Sequence, residues 1–401
     1  MIDFPHIADI CQPTASKVIM LVADGLGGAP HPETGKSELE VAKTPNLDKL
    51  ASRSACGLTT PVLPGITPGS GPGHLSLFGY DPVKYIIGRG VLEALGIDIE
   101  LSDGDVAARG NFCTVDSEGK LVDRRAGRIS SLESIPLCEQ LNQIDVPGID
   151  MSIFPVQDYR FVALFRGQGL TESVTETDPQ ILGVPPRHVE ALNPAAEKTA
   201  AAANALIERA MEMLGKREKA NMVMLRGFSQ LPKLPSFGES YRLNPAAIAA
   251  YPMYRGLAKV AGMKVIPTGH NFQAEVDTLR QNFQEHDFFY LHYKPADAAG
   301  EDGDFDAKVQ ALEALDKFIP SILDLNPDTL VVAGDHATPS ILAGHGWQPV
   351  PLLIHSKLTL GEGVEAFHER ACANGSIGRI PATQIMFLAL AHAGKLIKFG
   401  P

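Results

Sequence analysis

Apolar residues in this chain gather in short, unbroken runs. Val18-Ile-Met-Leu-Val-Ala23 is six consecutive apolar residues, and similar runs occur at Met222–Leu225, Phe288–Leu291, Thr329–Ala333 and Pro349–Ile354. Continuous apolarity, without alternation, marks strands buried on both faces, as in a parallel sheet under helices. Helical patterns lie between the runs. Thr44-Pro45 reads as a cap and first turn, with Leu47 and Leu50 on one face and Gly57 as the stop. Glu197–Leu214 is alanine-rich with Ala203, Leu206, Ala210 and Leu214 at helical spacing. Asn244-Pro245 is expected to cap a helix running towards Gly262, and Val309, Leu312, Leu315, Ile319 and Ile322 to line one face of another. From about residue 105 to 215 the character changes to short strand-like pieces, such as Val106–Val115 and Arg160–Arg166, separated by polar turns. The pattern predicts an α/β domain with a mostly parallel central sheet, formed by residues 1–105 and 216–401. A smaller α+β domain, 106–215, is inserted in it, with hinges near 105 and 215.

One stretch fits neither period. Pro64-Gly-Ile-Thr-Pro-Gly-Ser70-Gly-Pro-Gly-His74 holds four glycines and three prolines in eleven residues. It must be a shaped loop in which backbone amides can approach a ligand closely. Ser70 precedes an apolar run (Leu75, Leu77, Phe78) and reads as the start of a short helix, where unpaired N–H groups favour an anion. A serine in such a loop is most often only a turn residue. As a nucleophile it needs activation by a base or a metal.

The 401 residues suit one large domain plus a second, and an apolar content of 44% supports a sizeable core. A net charge of −12 argues against nucleic acid and against anionic membranes. Cys11, Cys56, Cys113, Cys138 and Cys372 are odd in number and show no CxxC pairing, which points to a reduced, cytoplasmic protein. Neither a basic-then-apolar leader nor a membrane-length apolar run is present. An acidic protein that binds a phosphorylated substrate needs local cations. Candidates are Arg89 between two glycines, Arg109, Arg160 and Arg166 beside strand-like runs, and the Arg124, Arg125, Arg128 cluster. A solvated surface face explains them equally well.

Chemistry collects where the apolar runs end. The first ends in Asp24; the fourth in Asp335-His336, with His345 nine residues on; the third leads into a loop dense in carboxylates that carries Lys294, Asp297 and Glu301. The C-terminal ends of parallel strands share one rim, the usual place for ligands in such sheets. So many carboxylates together require cations. Mixed Asp/His donors suit Mn²⁺, Mg²⁺ or Zn²⁺, and their number suits two ions.

Asp24-Gly, Thr44-Pro-Asn-Leu-Asp-Lys-Leu, Gly69-Ser-Gly-Pro-Gly-His-Leu-Ser-Leu-Phe-Gly-Tyr-Asp-Pro, Gly88-Arg-Gly-Val-Leu-Glu-Ala-Leu-Gly, Asp123-Arg-Arg-Ala-Gly-Arg, Lys294-Pro-Ala-Asp-Ala-Ala-Gly and Gly334-Asp-His-Ala-Thr-Pro occur in this order over nearly the whole chain. This set resembles the archaeal-type, cofactor-independent phosphoglycerate mutases of the alkaline phosphatase superfamily. The resemblance implies an alkaline-phosphatase-like three-layer sandwich with an inserted substrate-binding lid. It implies interconversion of 3-phosphoglycerate and 2-phosphoglycerate, a step of glycolysis, through a phosphoserine at Ser70. By the same pattern Asp24, Ser70, Asp335 and His336 would hold one metal; Asp297, residue 301 and His345 would hold the other. Lys294 would neutralise the transferring phosphoryl group, and Arg109, Arg124, Arg125 and Arg128 would hold the glycerate's carboxylate and hydroxyls; Arg89, from its glycine-flanked setting, joins them as a substrate-binding candidate. The chain departs from the family's Asp-x-x-x-His by having Glu301. A hard oxygen in place of a borderline nitrogen tilts the expected cofactors towards two Mn²⁺ or Mg²⁺ ions and away from Zn²⁺. The alternatives are a phosphomonoesterase or phosphotransferase acting on another small substrate, or a metal- and phosphate-binding protein without turnover. The sequence leaves homo-oligomerisation open.

Overall fold

The computed structural model describes residues 1–360 and 363–401. Its strands are β1 (Val18–Ala23), β2 (Ala55–Thr60), β3 (Val106–Val115), β4 (Leu121–Asp123), β5 (Asp150–Pro155), β6 (Arg160–Arg166), β7 (Met222–Ser229), β8 (Pro245–Ile248), β9 (Lys264–Val265), β10 (Phe288–Tyr293), β11 (Thr329–Ala333), β12 (Val350–Ser356) and β13 (Gly378–Pro381). The chain divides into two compact units, Met1–Ile86 with Leu234–Pro401, and Ile87–Lys233.

The first unit is built on an eight-stranded sheet of order β13-β2-β12-β11-β1-β10-β8-β9. β1 pairs in parallel with both β10 and β11, and only the contacts of β12 are antiparallel. The central strands are buried throughout, as their unbroken apolarity requires. On one face Ile19, Leu21, Phe289, Leu291, Leu330 and Val332 join Leu47, Leu50, Val276, Leu279, Leu312 and Leu315 from covering helices. On the other face Phe288 and Tyr290 meet Phe237 and Phe78 edge-on or tilted. Helices on both faces of a mostly parallel sheet give the expected three layers.

The second unit has a five-stranded sheet in which β3 is flanked by β4, β6 and β7, all antiparallel. Ala108 and Phe112 of β3 share a core with Leu137 and Leu141 of the helix Ser131–Leu141 and with Leu206 and Ala210 of the helix Glu197–Leu214. This unit is wider than the expected 106–215. At its start the helix Arg89–Gly96 packs on β3 so closely that a Cβ on Gly90 would lie 2.0 Å from the Ala107 carbonyl oxygen. At its end β7 adds directly to β3. The boundaries therefore fall at 86/87 and 233/234, not near 105 and 215.

Four local expectations fail. Gly57 does not end a helix; that helix is Pro45–Ala51, without a side-chain cap from Thr44, and Gly57 lies inside β2. A Cβ there would be 2.5 Å from the Gly378 carbonyl oxygen, so the neighbouring strand demands glycine. Pro245–Ile248 is strand, and the helix starts only at Pro252. Pairing with β10 in the buried sheet overrides the helix preference of Ala246 and Ala247. The segment after β10 is a helix, Pro295–Glu301, not a loop. The long apolar face from Val309 to Ile322 is shared by two helices, Phe305–Asp316 and Ile319–Leu323, broken just before Pro320, which sits in the first turn of the second.

Candidate metal centre

The three central strands β11, β1 and β10 deliver their following residues to one rim of the sheet. Asp24 comes directly after β1 and Asp335-His336 just after β11. Lys294 follows β10, and the helix Pro295–Glu301 places Asp297 one turn further on. Ser70 is the first residue of the helix Ser70–Leu77. That helix approaches the β11 loop backbone to backbone: a Cβ on Gly73 would lie 2.3 Å from the Asp335 carbonyl oxygen. Gly73 of the Ser70 motif is thus required by packing. Gly25 has φ of +66°, and a side chain there would meet the Asp297 backbone.

Asp24, Asp297, Asp335 and His336 are wholly buried, and Ser70 nearly so. Ser70 Oγ is 3.3 Å from His336 Nε2. The same nitrogen is 3.1 Å from Asp335 Oδ2 and 3.4 Å from Asp24 Oδ1. Asp297 Oδ1 lies 3.7 Å from His345 Nε2, and the His336 and His345 rings stack at 3.7 Å. Two groups of donor atoms result, Asp24 with Asp335 and His336, and Asp297 with His336 and His345, each within 4.8 Å of one another. Glu301 is half exposed and stands outside both groups, its carboxylate 3.5 Å from His345 Nε2.

Each of these donors is held by a second residue. His292 Nε2 is 3.0 Å from Asp24 Oδ2, and Gly25 N–H donates to Asp335 Oδ1. The backbone carbonyl of Pro68, which can only accept, lies 2.9 Å from His345 Nδ1, so that nitrogen carries the proton and Nε2 faces Asp297. By the same argument the Ser70 carbonyl, 2.8 Å away, makes His74 Nδ1 a donor. Lys294 Nζ reaches Asp24 Oδ2 at 3.2 Å, the Tyr254 hydroxyl at 3.0 Å and the Asp297 carboxylate. The supporting residues His74, His292, Tyr254 and Thr338 were not singled out from sequence. His74 closes the glycine-rich motif and Thr338 follows His336 by two positions, but His292 sits unmarked within an apolar strand.

The electrostatics favour a cation. Burial works against the Asp24 carboxylate, yet Lys294, His292 and His336 hold its pKa well below the usual range. Burial and the Asp24 charge push Asp297 up despite Lys294. Asp24 Oδ1 and Asp335 Oδ2 are buried and accept no hydrogen bond of good geometry. Oxygen atoms of carboxylates left in this way, beside an imidazole nitrogen, fit the donor set of a divalent metal.

A family model described as 2,3-bisphosphoglycerate-independent phosphoglycerate mutase matches residues 51–220. A probable 2,3-bisphosphoglycerate-independent phosphoglycerate mutase of Thermosipho africanus is 48% identical over 396 residues, 98% of both chains. One of Thermotoga maritima is 50% identical over 388 residues, 96% of both. The chain belongs to the 2,3-bisphosphoglycerate-independent phosphoglycerate mutase family. It is accordingly an enzyme of the isomerase class. The solved cofactor-independent phosphoglycerate mutase of Thermoplasma acidophilum matches with a TM-score of 0.69 at 28% identity, over 94% of this chain and 100% of that one. A structure of a Pyrococcus horikoshii protein matches with a TM-score of 0.85, also at 28% identity, over 97% and 100%. The three-layer fold is that of these proteins.

The second unit of this mutase carries the arginines. On β3, Arg109 and Asn111 share a face; Arg226 of β7 stands opposite Arg109, and Arg160 of β6 opposite Asn111. Burial, together with the charges of Arg89, Arg160 and Arg226, pushes Arg109 down to about 10 against the pull of Glu93, 3.7 Å away. Arg124 makes a two-point contact with the buried Asp178, at 2.9 and 2.6 Å, and Arg226 touches the same carboxylate. Arg89, Arg125 and Arg128 are exposed. The structure therefore groups Arg109 with Arg160, already among the candidate cations, and with Arg226, which was not, and it pairs Arg124 with Asp178.

Proposed function

We propose that this mutase interconverts 3-phosphoglycerate and 2-phosphoglycerate without bisphosphoglycerate, with Ser70 as the transient phosphoryl carrier. The observation that supports this most directly is the Ser70 hydroxyl, 3.3 Å from His336 Nε2 at the start of a helix and beside two buried carboxylate oxygens that lack donors. Asp24, Ser70, Asp335 and His336 are proposed to hold one divalent ion, and Asp297, Glu301 and His345 a second, with Mn²⁺ or Mg²⁺ favoured over Zn²⁺. Bound there, two cations would lower the pKa of the serine hydroxyl and offset charge on the phosphoryl oxygens.

The chain's own groups then have separate tasks. Ser70 Oγ loses its proton and attacks phosphorus, and the bond from phosphorus to one glycerate hydroxyl oxygen breaks. That oxygen takes up a proton. The glycerate stays bound and turns; its other hydroxyl oxygen gives up its proton and bonds to phosphorus, the bond from phosphorus to Ser70 Oγ breaks, and Oγ takes up a proton. Lys294 carries a positive charge to the transferring group, and burial of Ser70 keeps water from competing. The arginine-bearing unit supplies Arg89, Arg109, Arg124, Arg125 and Arg128 as candidates for the glycerate's carboxylate and hydroxyls. The reaction belongs to glycolysis and gluconeogenesis. Five buried cysteines without a disulfide fit a reducing cytoplasm, and no described helix is long and apolar enough to cross a membrane.

The test is an assay of metal-stripped protein reloaded separately with Mn²⁺, Mg²⁺ and Zn²⁺, on 3-phosphoglycerate without bisphosphoglycerate. Metal-dependent 2-phosphoglycerate that vanishes in Ser70→Ala supports the proposal. Free phosphate as the sole product would replace it with a phosphomonoesterase.

A further inference from the structure

Hydrogen bonds around Thr338 decide which nitrogen of His336 carries a proton. Thr338 is fully buried. Its Oγ1 lies 2.6 Å from Asp297 Oδ1 and 3.0 Å from His336 Nδ1. A carboxylate can only accept, so the one hydroxyl proton goes to Asp297. Towards His336 the hydroxyl oxygen can then only accept, and Nδ1 must be the donor. Neutral His336 is thereby the Nδ1–H tautomer. Its Nε2 lone pair is left facing Ser70 Oγ, Asp335 Oδ2 and Asp24 Oδ1.

Thr338 has little freedom to turn away from this arrangement. Its N–H donates to the Gly27 carbonyl at 3.0 Å. Its own carbonyl accepts from Lys308 Nζ at 2.7 Å, and the same ammonium, itself fully buried, donates to Gly27 at 2.8 Å. The helix Pro295–Glu301 passes so close that a Cβ on Gly300 would be 2.3 Å from the Thr338 carbonyl oxygen.

We infer that Thr338 is a positioning residue that joins the two metal-ligand groups: one hydroxyl orients the Asp297 carboxylate in one group and sets the His336 tautomer for the other. It acts through Asp297 and His336. Lys308 holds the Thr338 backbone to the loop after β1. The inference rests on the proposed metal reading for its consequence, but the tautomer itself does not depend on a metal. Partners that orient metal ligands in this way commonly change metal affinity about 10- to 100-fold when removed.

Thr338→Val keeps the volume and removes the hydroxyl; Thr338→Ser keeps the hydroxyl. The first readout is nitrogen NMR of metal-free protein with labelled histidine at pH 8, the His336 signal being identified by its absence in His336→Gln. Wild type and Thr338→Ser should show Nδ1–H, and Thr338→Val should lose that preference. The second readout is Mn²⁺ titration, in which Thr338→Val should bind about 10- to 100-fold more weakly and Thr338→Ser like wild type. Thermal unfolding of the metal-free variants verifies that both are folded. An unchanged tautomer, or unchanged Mn²⁺ affinity in folded Thr338→Val, overturns the inference. If Asp335→Asn also leaves Mn²⁺ binding intact, the metal reading fails instead, and the tautomer result stands apart from it.

Discussion

Lys294 Nζ stands 3.2 Å from Asp24 Oδ2 while also bonding Asp297, so one ammonium ties together a carboxylate from each of the two proposed metal-ligand groups. In the metal-free chain it is a full positive charge in contact with both buried Asp24 and buried Asp297, and the His345 imidazole, lifted to about 9, adds another near Asp297. Removing it should leave Asp24 and Asp297 uncompensated, which is costly in a buried site. Lys294→Met is therefore expected to lower the melting temperature of metal-free protein. Added Mn²⁺ should raise it by more than in wild type, because the ion no longer competes with the lysine for the same oxygens. Catalysis should fall about 100-fold or more even when loaded. Equal Mn²⁺-induced shifts in the two proteins would count against this competition.

Ser70 Oγ sits 3.3 Å from His336 Nε2 at the first residue of its helix. Ser70→Ala should cut mutase turnover by at least ~10³-fold, as loss of a nucleophile does. Acid quenching of wild type with labelled substrate should trap a phosphorylated protein, and the variant should yield none. A labelled Ser70→Ala protein would place the carrier elsewhere.

Much of this centre was legible because burial and chemistry occupy separate stretches of the chain. Unbroken apolar runs announced β1, β10 and β11, and the polar residues just after them, Asp24, Asp297, Asp335 and His336, converge in space. What the sequence hid depends on contacts between distant segments. Gly57 looked like a helix stop because nothing local reveals that Gly378 packs against it. Pro245–Ile248 looked helical because alanine's local preference is silent about pairing with β10. His292 and Thr338 carry no pattern of their own; their roles come from the atoms they face. Arg124 was one arginine among several until Asp178, 54 residues away, singled it out.

Glu301 is half exposed and meets His345 at 3.5 Å. Burial opposes charge on that imidazole, but Glu301, the Pro68 carbonyl and Asp297 lift it to about 9. Glu301→His removes the carboxylate and offers a second imidazole. Zn²⁺ affinity relative to Mn²⁺ should rise by about an order of magnitude, measured by competition titration. An unchanged ratio would mean that residue 301 does not set metal preference.

The exposed Arg125 and Arg128 contrast with Arg124, whose guanidinium satisfies a carboxylate that is 1% exposed. Arg124→Ala leaves Asp178 with Arg226 at 3.4 Å and the Gln180 N–H at 2.9 Å. It should destabilise the protein by about 2 kcal/mol, visible as a lower melting temperature. Arg125→Ala with Arg128→Ala should leave stability nearly unchanged. In that pair the free phosphate released per 2-phosphoglycerate formed should rise, since weaker retention of the glycerate gives water more time at the phosphoserine. Unchanged partitioning would remove both arginines from the substrate set.

Glu275 provides a pH test away from the proposed ligands. Its Oε1 accepts from Ala250 N–H at 3.0 Å, while Oε2 is buried without a donor. Burial pushes this carboxyl well above the ordinary range, against the two backbone donors it has. Below the unfolded pKa, about 4.3, folded and unfolded chains are both protonated there and the group has no effect on pH dependence. Above it the unfolded chain releases the proton while the folded chain retains it, so stability falls as pH rises towards the folded value. Glu275→Gln removes this penalty. The difference in melting temperature, variant minus wild type, should therefore be more positive at pH 8 than at pH 4. Comparing both proteins in metal-free form cancels the shared pH dependence of the metal ligands. A difference that is flat, or that grows towards acid, would show that Glu275 is ionised in the folded protein.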